Sequence, residues 1–186
     1  GGNAISVNDV DGNLATTRLT VANGTLAVTL GTTDATISAG ANNSATLTLT
    51  GTQTQINAAL ATLTYQGVLN FNGSDTLTVV STDSAGTPLA DTDTVAITVT
   101  TVNDAPVNTV PGAQSVAEDT VLAFSGAAVI SVNDLDGNLA TTRLTVTNGT
   151  LAVTVGTTGA TIGPGANNSA TLTLAGTAAQ INAALA

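Results

Sequence analysis

Aliphatic residues alternate with threonine or alanine along much of the chain: Leu19-Thr20-Val21, Leu26-Ala27-Val28-Thr29-Leu30, Thr46-Leu47-Thr48-Leu49-Thr50, Thr76-Leu77-Thr78-Val79 and Thr94-Val95-Ala96-Ile97-Thr98-Val99. A period of two places the apolar side chains on one face of a strand and the polar ones on the other, so each run predicts a half-buried β-strand. Asn23-Gly24 and Asn148-Gly149 stand between such runs. They predict two-residue hairpin turns, because both turn residues must accept positive φ. One segment changes period. Within Thr52–Leu63, Ile56, Ala59, Leu60 and Leu63 fall at i, i+3, i+4 and i+7, one face of a helix. The spacing predicts a short helix, capped by Thr52 or Thr54, that crosses between two sheets. Regular short strands with turns between them predict an all-β fold of sandwich type.

The pattern repeats. Ile5–Ala61 recurs as Ile130–Ala186, an offset of 125 residues, with nine differences: Val10/Leu135, Ala22/Thr147, Leu30/Val155, Asp34/Gly159, Ser38/Gly163, Ala39/Pro164, Thr50/Ala175, Gln53/Ala178 and Thr54/Ala179. Near-identical units of this length mean a tandem array with one short helix per repeat. With Val102-Asn103-Asp104-Ala105-Pro106 as the linker, residues 1–101 are a repeat lacking its first strands. Residues 107–186 are then the next repeat, truncated after its helix. Open sheet edges invite pairing. Neighbouring repeats, or other copies of the chain, are expected to complete both.

Composition narrows the chemistry. Twelve Asp and Glu face two Arg and no Lys, a net charge of −10. Such a surface repels nucleic acid and anionic membrane, which are bound through basic residues, and attracts divalent cations. His, Cys, Met and Trp are absent, so disulfides, thiol catalysis and imidazole–metal sites are excluded. No apolar run is long enough to span a bilayer, so membrane insertion is not expected. Without His, Cys or Lys, only carboxylates could serve as acid–base groups. Asp9 and Asp11 in a wet turn do not suggest the pocketed carboxyl pair of a glycosidase, so no enzyme is expected. The aromatic residues, Tyr65, Phe71 and Phe124, are expected to fill the core rather than stack on sugars.

The acids are clustered: Asn8-Asp9-Val10-Asp11-Gly12-Asn13, its twin Asn133-Asp134-Leu135-Asp136-Gly137-Asn138, Asp83 before a Gly turn, Glu118-Asp119 at a predicted strand start, and Asn103-Asp104 in the linker. Asp, Asn and Gly also make turns for purely local reasons. Yet carboxylates gathered where cations are scarce repel one another unless a metal sits among them, and a D-x-D turn followed by Gly offers the hard oxygens that calcium takes.

Three stretches carry a family resemblance: Val80-Ser81-Thr82-Asp83-Ser84-Ala85-Gly86-Thr87-Pro88-Leu89, Val95–Val99, and Val102-Asn103-Asp104-Ala105-Pro106-Val107. Together they look like the closing third of a cadherin repeat. With Ala117-Glu118-Asp119-Thr120 and Asn70–Val79, the whole unit resembles the cadherin-like, immunoglobulin-like tandem repeats of giant bacterial surface adhesins, including those of the RTX type. The resemblance implies calcium bound between repeats. It places Asn103, Asp104, Asp134, Asp136 and Asn138 around one junction, Asp9, Asp11 and Asp83 at the preceding one, and Glu118 toward the following one. Thr64-Tyr65-Gln66 stands where the family has D-x-E, and the linker is short, so one or two ions per junction are expected rather than three. The implied role is a non-catalytic, calcium-stiffened extension repeat in an extracellular or bacterial cell-surface adhesin or matrix fibre. Two alternatives accompany it. One is a filament subunit completed by strand exchange; the other is a module that grips glycans or ice through rows such as Thr46, Thr48 and Thr50.

Overall fold

The computed structural model describes residues 4–186. The fold is all-β, with antiparallel sheets and, among the described residues, two short α-helices and one 3-10 turn at Gly126–Ala128. The chain divides into two compact units, with the boundary between Val102 and Asn103.

The first unit contains strands β1 (Leu14–Thr20), β2 (Gly24–Ala27), β3 (Thr36–Gly40) and β4 (Thr46–Thr50), helix α1 (Gln53–Leu60), and strands β5 (Thr64–Gly67), β6 (Gly73–Asp83) and β7 (Ala90–Val99). A five-stranded sheet runs in the order β3-β4-β1-β6-β7, and β2 pairs with β5 in a separate two-stranded sheet. The period-two pattern decides the faces. Leu19, Leu47, Leu49, Leu77 and Val79 point inward and form one cluster with Leu26, Val28 and the helix residues Ile56, Ala59 and Leu60. α1 follows a strand of one sheet and precedes a strand of the other, which makes it the predicted crossover. Thr52 is its N-cap and Gln55 completes a capping box, satisfying N–H groups that the first turn leaves bare.

The Asn23-Gly24 hairpin does not form. β1 pairs with β4 and β6, while Gly24 already belongs to β2 and pairs with Gly67 of β5. Here the chain passes from one sheet to the other. Glycine is required for close approach rather than for a turn: a Cβ at Gly24 would lie 2.3 Å from the Tyr65 ring and 2.7 Å from the Gln66 carbonyl oxygen. Nor does the second copy build a hairpin at Asn148-Gly149. The strand expected around Glu118 is also absent; Ala117–Thr120 is a turn, with Asp119 at φ 58°. Among the aromatics only Tyr65 packs on the core cluster, and Phe71 and Phe124 are half-buried outside it.

The second unit contains β8 (Val107–Thr109), β9 (Ser131–Asn133), β10 (Thr141–Thr145), β11 (Thr161–Ile162), β12 (Thr171–Ala175) and helix α2 (Ala178–Leu185), which has the same capping box on Thr177. β10, β12 and β11 form one sheet, and β8 pairs with β9. Residues 130–186 nearly duplicate 5–61, but β10 and β11 are shorter than their counterparts β1 and β3, while β12 matches β4 in length. The counterpart of β2 is reduced to a single bridge, Leu151 to Ser169, because no β5 pairs with it. Among the described residues β10 is bonded on one side only, to β12, whereas β1 has strands on both sides.

One buried atom registers this difference. Thr17 faces the core and its hydroxyl lies 3.1 Å from that of Ser81 on β6. The hydroxyl of its twin, Thr142, is buried without a partner. Valine has the same shape and no hydroxyl to satisfy. Thr142→Val is therefore expected to stabilise the second unit by about 1 kcal/mol, and Thr17→Val to destabilise the first by a similar amount. Urea melts followed by far-ultraviolet circular dichroism for the whole chain, and by Tyr65 fluorescence for the first unit alone, separate the two effects.

Candidate functional site

The acidic loop of the second unit is tied to the linker before it. The Asp104 N–H donates to Asp136 Oδ2 at 2.5 Å, and Asn138 Nδ2 donates to Asn103 Oδ1 at 2.6 Å. Asp134 is buried; its Oδ1 accepts the Asn138 N–H and its carbonyl accepts the Gly137 N–H, closing the D-x-D-G turn, with Gly137 at φ 69°. Five of the nine candidate ligands thus come from two stretches of chain joined by direct hydrogen bonds. All five are hard oxygen donors of the kind calcium takes. Fit is incomplete in one respect: among the described residues no three carboxylates stand close enough to hold one metal ion. Asp136 also engages one oxygen with a backbone N–H. A cation here would draw on one or two carboxylates and on amide or carbonyl oxygens, a donor set of low charge and modest affinity.

The twin loop in the first unit is self-contained. Asp9 Oδ1 accepts N–H groups from Asp11, Gly12 and Asn13, and Asp83 Oδ1 accepts those of Ala85 and Leu89. Ser84 donates its N–H and its hydroxyl to the Asn13 carbonyl, so the two turns lie together. Asp9 and Asp83 line one cleft, of about 330 Å³, which Asp91 and Asp93 also line. Sequence reasoning missed this second pair. The signal was available, since Asp91-Thr92-Asp93 in a strand puts both carboxylates on one face. Glu118 lies in the exposed Ala117–Thr120 turn.

A further missed acid is structural. Asp75 is buried at the point where β1 gives way to β2. Burial pushes its carboxyl up, but the N–H groups of Asn23, Thr76 and Ala22 and the Tyr65 hydroxyl outweigh that and hold it below its ordinary value. Tyr65 is pushed up by its own burial, then by its hydrogen bond to Asp75 and the charge there. The native state thus favours ionised Asp75, and its contribution to stability is present above the unfolded value of about 3.9 and lost as pH falls through the lower native value. The Tyr65 contribution is present below about pH 10 and lost as pH rises through its higher native value. Asp75→Asn is expected to lower stability at neutral pH and to flatten the acid limb of the first unit, as read by Tyr65 fluorescence.

Threonines outside the core fall in cross-strand rows. Thr36, Thr50, Thr16 and Thr82 occupy one row over four strands, and Thr46, Thr20, Thr78 and Thr94 another. Arg18 and Val80 stand between the rows.

Residues 5–92, a little under half of the chain, are similar to the family described as the Protein GAMETE EXPRESSED 2 domain, GEX2. No curated protein and no solved structure matches the chain.

Proposed function

We propose that the chain is a non-catalytic spacer of tandem cadherin-like repeats, folded as β-sandwiches, whose linker is stiffened by calcium. It would serve in an extracellular or cell-surface adhesin or matrix fibre. The observation that carries this reading is the pair of bonds from Asp104 to Asp136 and from Asn138 to Asn103. They bring the linker's oxygen donors to the D-x-D-G loop of the repeat that follows. A cation there would restrain the chain just after Val102, where freedom at a joint would otherwise let a fibre fold back. Such a spacer needs no pocket and no acid–base pair, and the one-sided charge of −10 suits an environment that supplies divalent cations.

Calcium titration of the intact chain by calorimetry tests the proposal, with Asp136→Asn as the control. That variant keeps an oxygen acceptor for the Asp104 N–H and removes one charge. Binding in the range of roughly 0.1–1 mM in the parent, weakened several-fold in the variant, is the expected result. Equal heats from both proteins would exclude Asp136 as a ligand.

The threonine rows favour a second reading, adhesion of the sheet's outer face to glycans or ice. It differs from the first in needing no metal. Replacing Thr20 and Thr78 by lysine would abolish adhesion to immobilised glycan or to ice in the presence of chelator if this face binds, and adhesion that survives both changes excludes it.

A further inference from the structure

The chain has two arginines, no lysine and no histidine, and the two arginines hold the same place in the two units. Arg18 sits on β1, the middle strand of the five-stranded sheet, and is exposed between the buried Thr17 and Leu19. It therefore stands at the centre of the sheet's outer face. Thr48 and Val80 lie directly opposite it, Thr16 and Thr20 lie two residues away along the strand, and its diagonal neighbours are Thr46, Thr50, Thr78 and Thr82. Diagonal positions are about 7–8 Å apart, within reach of a long side chain. The guanidinium is thus ringed by seven hydroxyls and one valine, with no carboxylate at any of the eight nearest positions. Arg143 repeats the arrangement: it is exposed on β10, opposite Thr173, between Thr141 and Thr145.

Strand alternation sorts the charges of this sheet by sign. Four acids lie in its strands, Asp75, Asp83, Asp91 and Asp93, and all four fall on the core side with Leu77 and Val79. Asp9, Asp11 and Asp34 lie outside the strands. A chain of net charge −10 therefore keeps one face whose strand positions carry a cation and hydroxyls alone. At physiological salt the Debye length is about 8 Å, so the acids beyond the sheet are largely screened from a ligand on that face. At one end the face dips into a depression of about 360 Å³ lined by Thr20, Thr78, Ser74 and Thr76. Its one acid, Asp75, already has its two oxygens met by four donors.

We infer that this face binds an acidic polysaccharide, with one sugar carboxylate on each arginine and the neighbouring sugar hydroxyls on the threonine rows. The inference rests on the reading in which the outer face adheres to glycans, and adds the charge that the glycan carries. The planar fork of arginine matches a carboxylate through two parallel hydrogen bonds, and the hydroxyls around it both donate and accept, as sugar hydroxyls do. A protein partner fits less well, since the buried centre of a protein interface is rich in apolar and aromatic side chains and Val80 is the one apolar side chain in the ring. With no aromatic platform in the ring, a single site is weak. A polymer with a carboxylate on every sugar engages the arginines of successive repeats together, and avidity replaces single-site affinity.

Affinity electrophoresis of the full chain through gels holding polygalacturonate, or the same polymer fully methyl-esterified, tests this in chelator at about 0.15 M salt. Esterification removes the charge and keeps the sugar. Retardation by the acid polymer and none by the ester is expected. Arg18→Gln is expected to weaken retardation about 5-fold, and Arg18→Gln with Arg143→Gln to weaken it further. Arg18→Lys keeps the charge without the fork and is expected to fall between parent and Arg18→Gln. Both arginines are exposed, and circular dichroism melts of each variant matching the parent show that the fold is kept. Equal retardation by both polymers overturns the carboxylate and leaves glycan adhesion by the threonine rows standing. Retardation by the acid polymer that survives loss of both arginines overturns their role. Retardation by neither polymer also overturns the proposal. Since chelator is present throughout, no outcome bears on the calcium reading.

Discussion

Ile56→Ala is expected to lower the unfolding free energy of the first unit by about 3–4 kcal/mol, and Ile181→Ala that of the second by about 2 kcal/mol. Both isoleucines are fully buried at the same position of the same capped helix. What differs is the surroundings. Ile56 lies in a cluster of twelve buried residues drawn from two sheets, where a deleted side chain leaves a cavity with rigid walls on every side. Ile181 shares its cluster of buried residues with Val132, Ala160, Leu174 and Ala184, and among the described residues β10 pairs with β12 alone. A smaller cluster beside an unpaired strand can relax into the space, which reduces the cavity term. Tyr65 is the only tyrosine and there is no tryptophan, so urea melts by tyrosine fluorescence follow the first unit alone while circular dichroism follows both. Equal losses in the two units would mean that the second core is as rigid as the first.

That helix was legible before any coordinates, because the shift from period two to period 3.6 at Ile56, Ala59 and Leu60 has only one packed solution. β4 was legible to the residue for the same reason, as a five-residue alternation between a turn and a helix cap. Asn23-Gly24 was not. Its local signal is that of a hairpin, but the outcome was decided by Asp75 and Tyr65, more than 40 residues away, which bind the backbone of Ala22 and Asn23 and draw the chain to the other sheet. Alternation misled in β7 too. Val95 faces the side the pattern assigns it, yet it stays wet, since alternation states which face seeks cover and not whether cover is there. For the acids, it was the family resemblance, not clustering alone, that grouped Asn103 and Asp104 with Asp134, Asp136 and Asn138, two stretches that hydrogen bonds join in the structure. It did not reveal that Asp9 and Asp83 already meet backbone N–H groups in their own turns, nor that strand register carries Asp91 and Asp93 to the same cleft.

Calcium is expected to raise the melting temperature of the second unit by roughly 10–20 °C and to move the first much less. The size follows from mass action: at about 100 times the dissociation constant, a ligand that binds only the folded state adds about 2.7 kcal/mol. For a site near 0.1 mM, that condition is about 10 mM calcium. A domain of 60–100 residues gains about 4–8 °C per kcal/mol. The asymmetry follows from the loops. Asp134 and Asp136 have the linker residues Asn103 and Asp104 beside them, whereas Asp9 and Asp11 meet no such linker among the described residues, and Asp9 is already occupied by three N–H groups. In Asp136→Asn the calcium-dependent rise should shrink to a few degrees while the melting temperature in chelator stays close to that of the parent, since the Asp104 N–H keeps its acceptor. A melting temperature of the second unit that calcium and chelator leave unchanged would remove calcium from the linker, and the hydrogen bonds of Asp104 and Asn138 would then be the whole of what stiffens it.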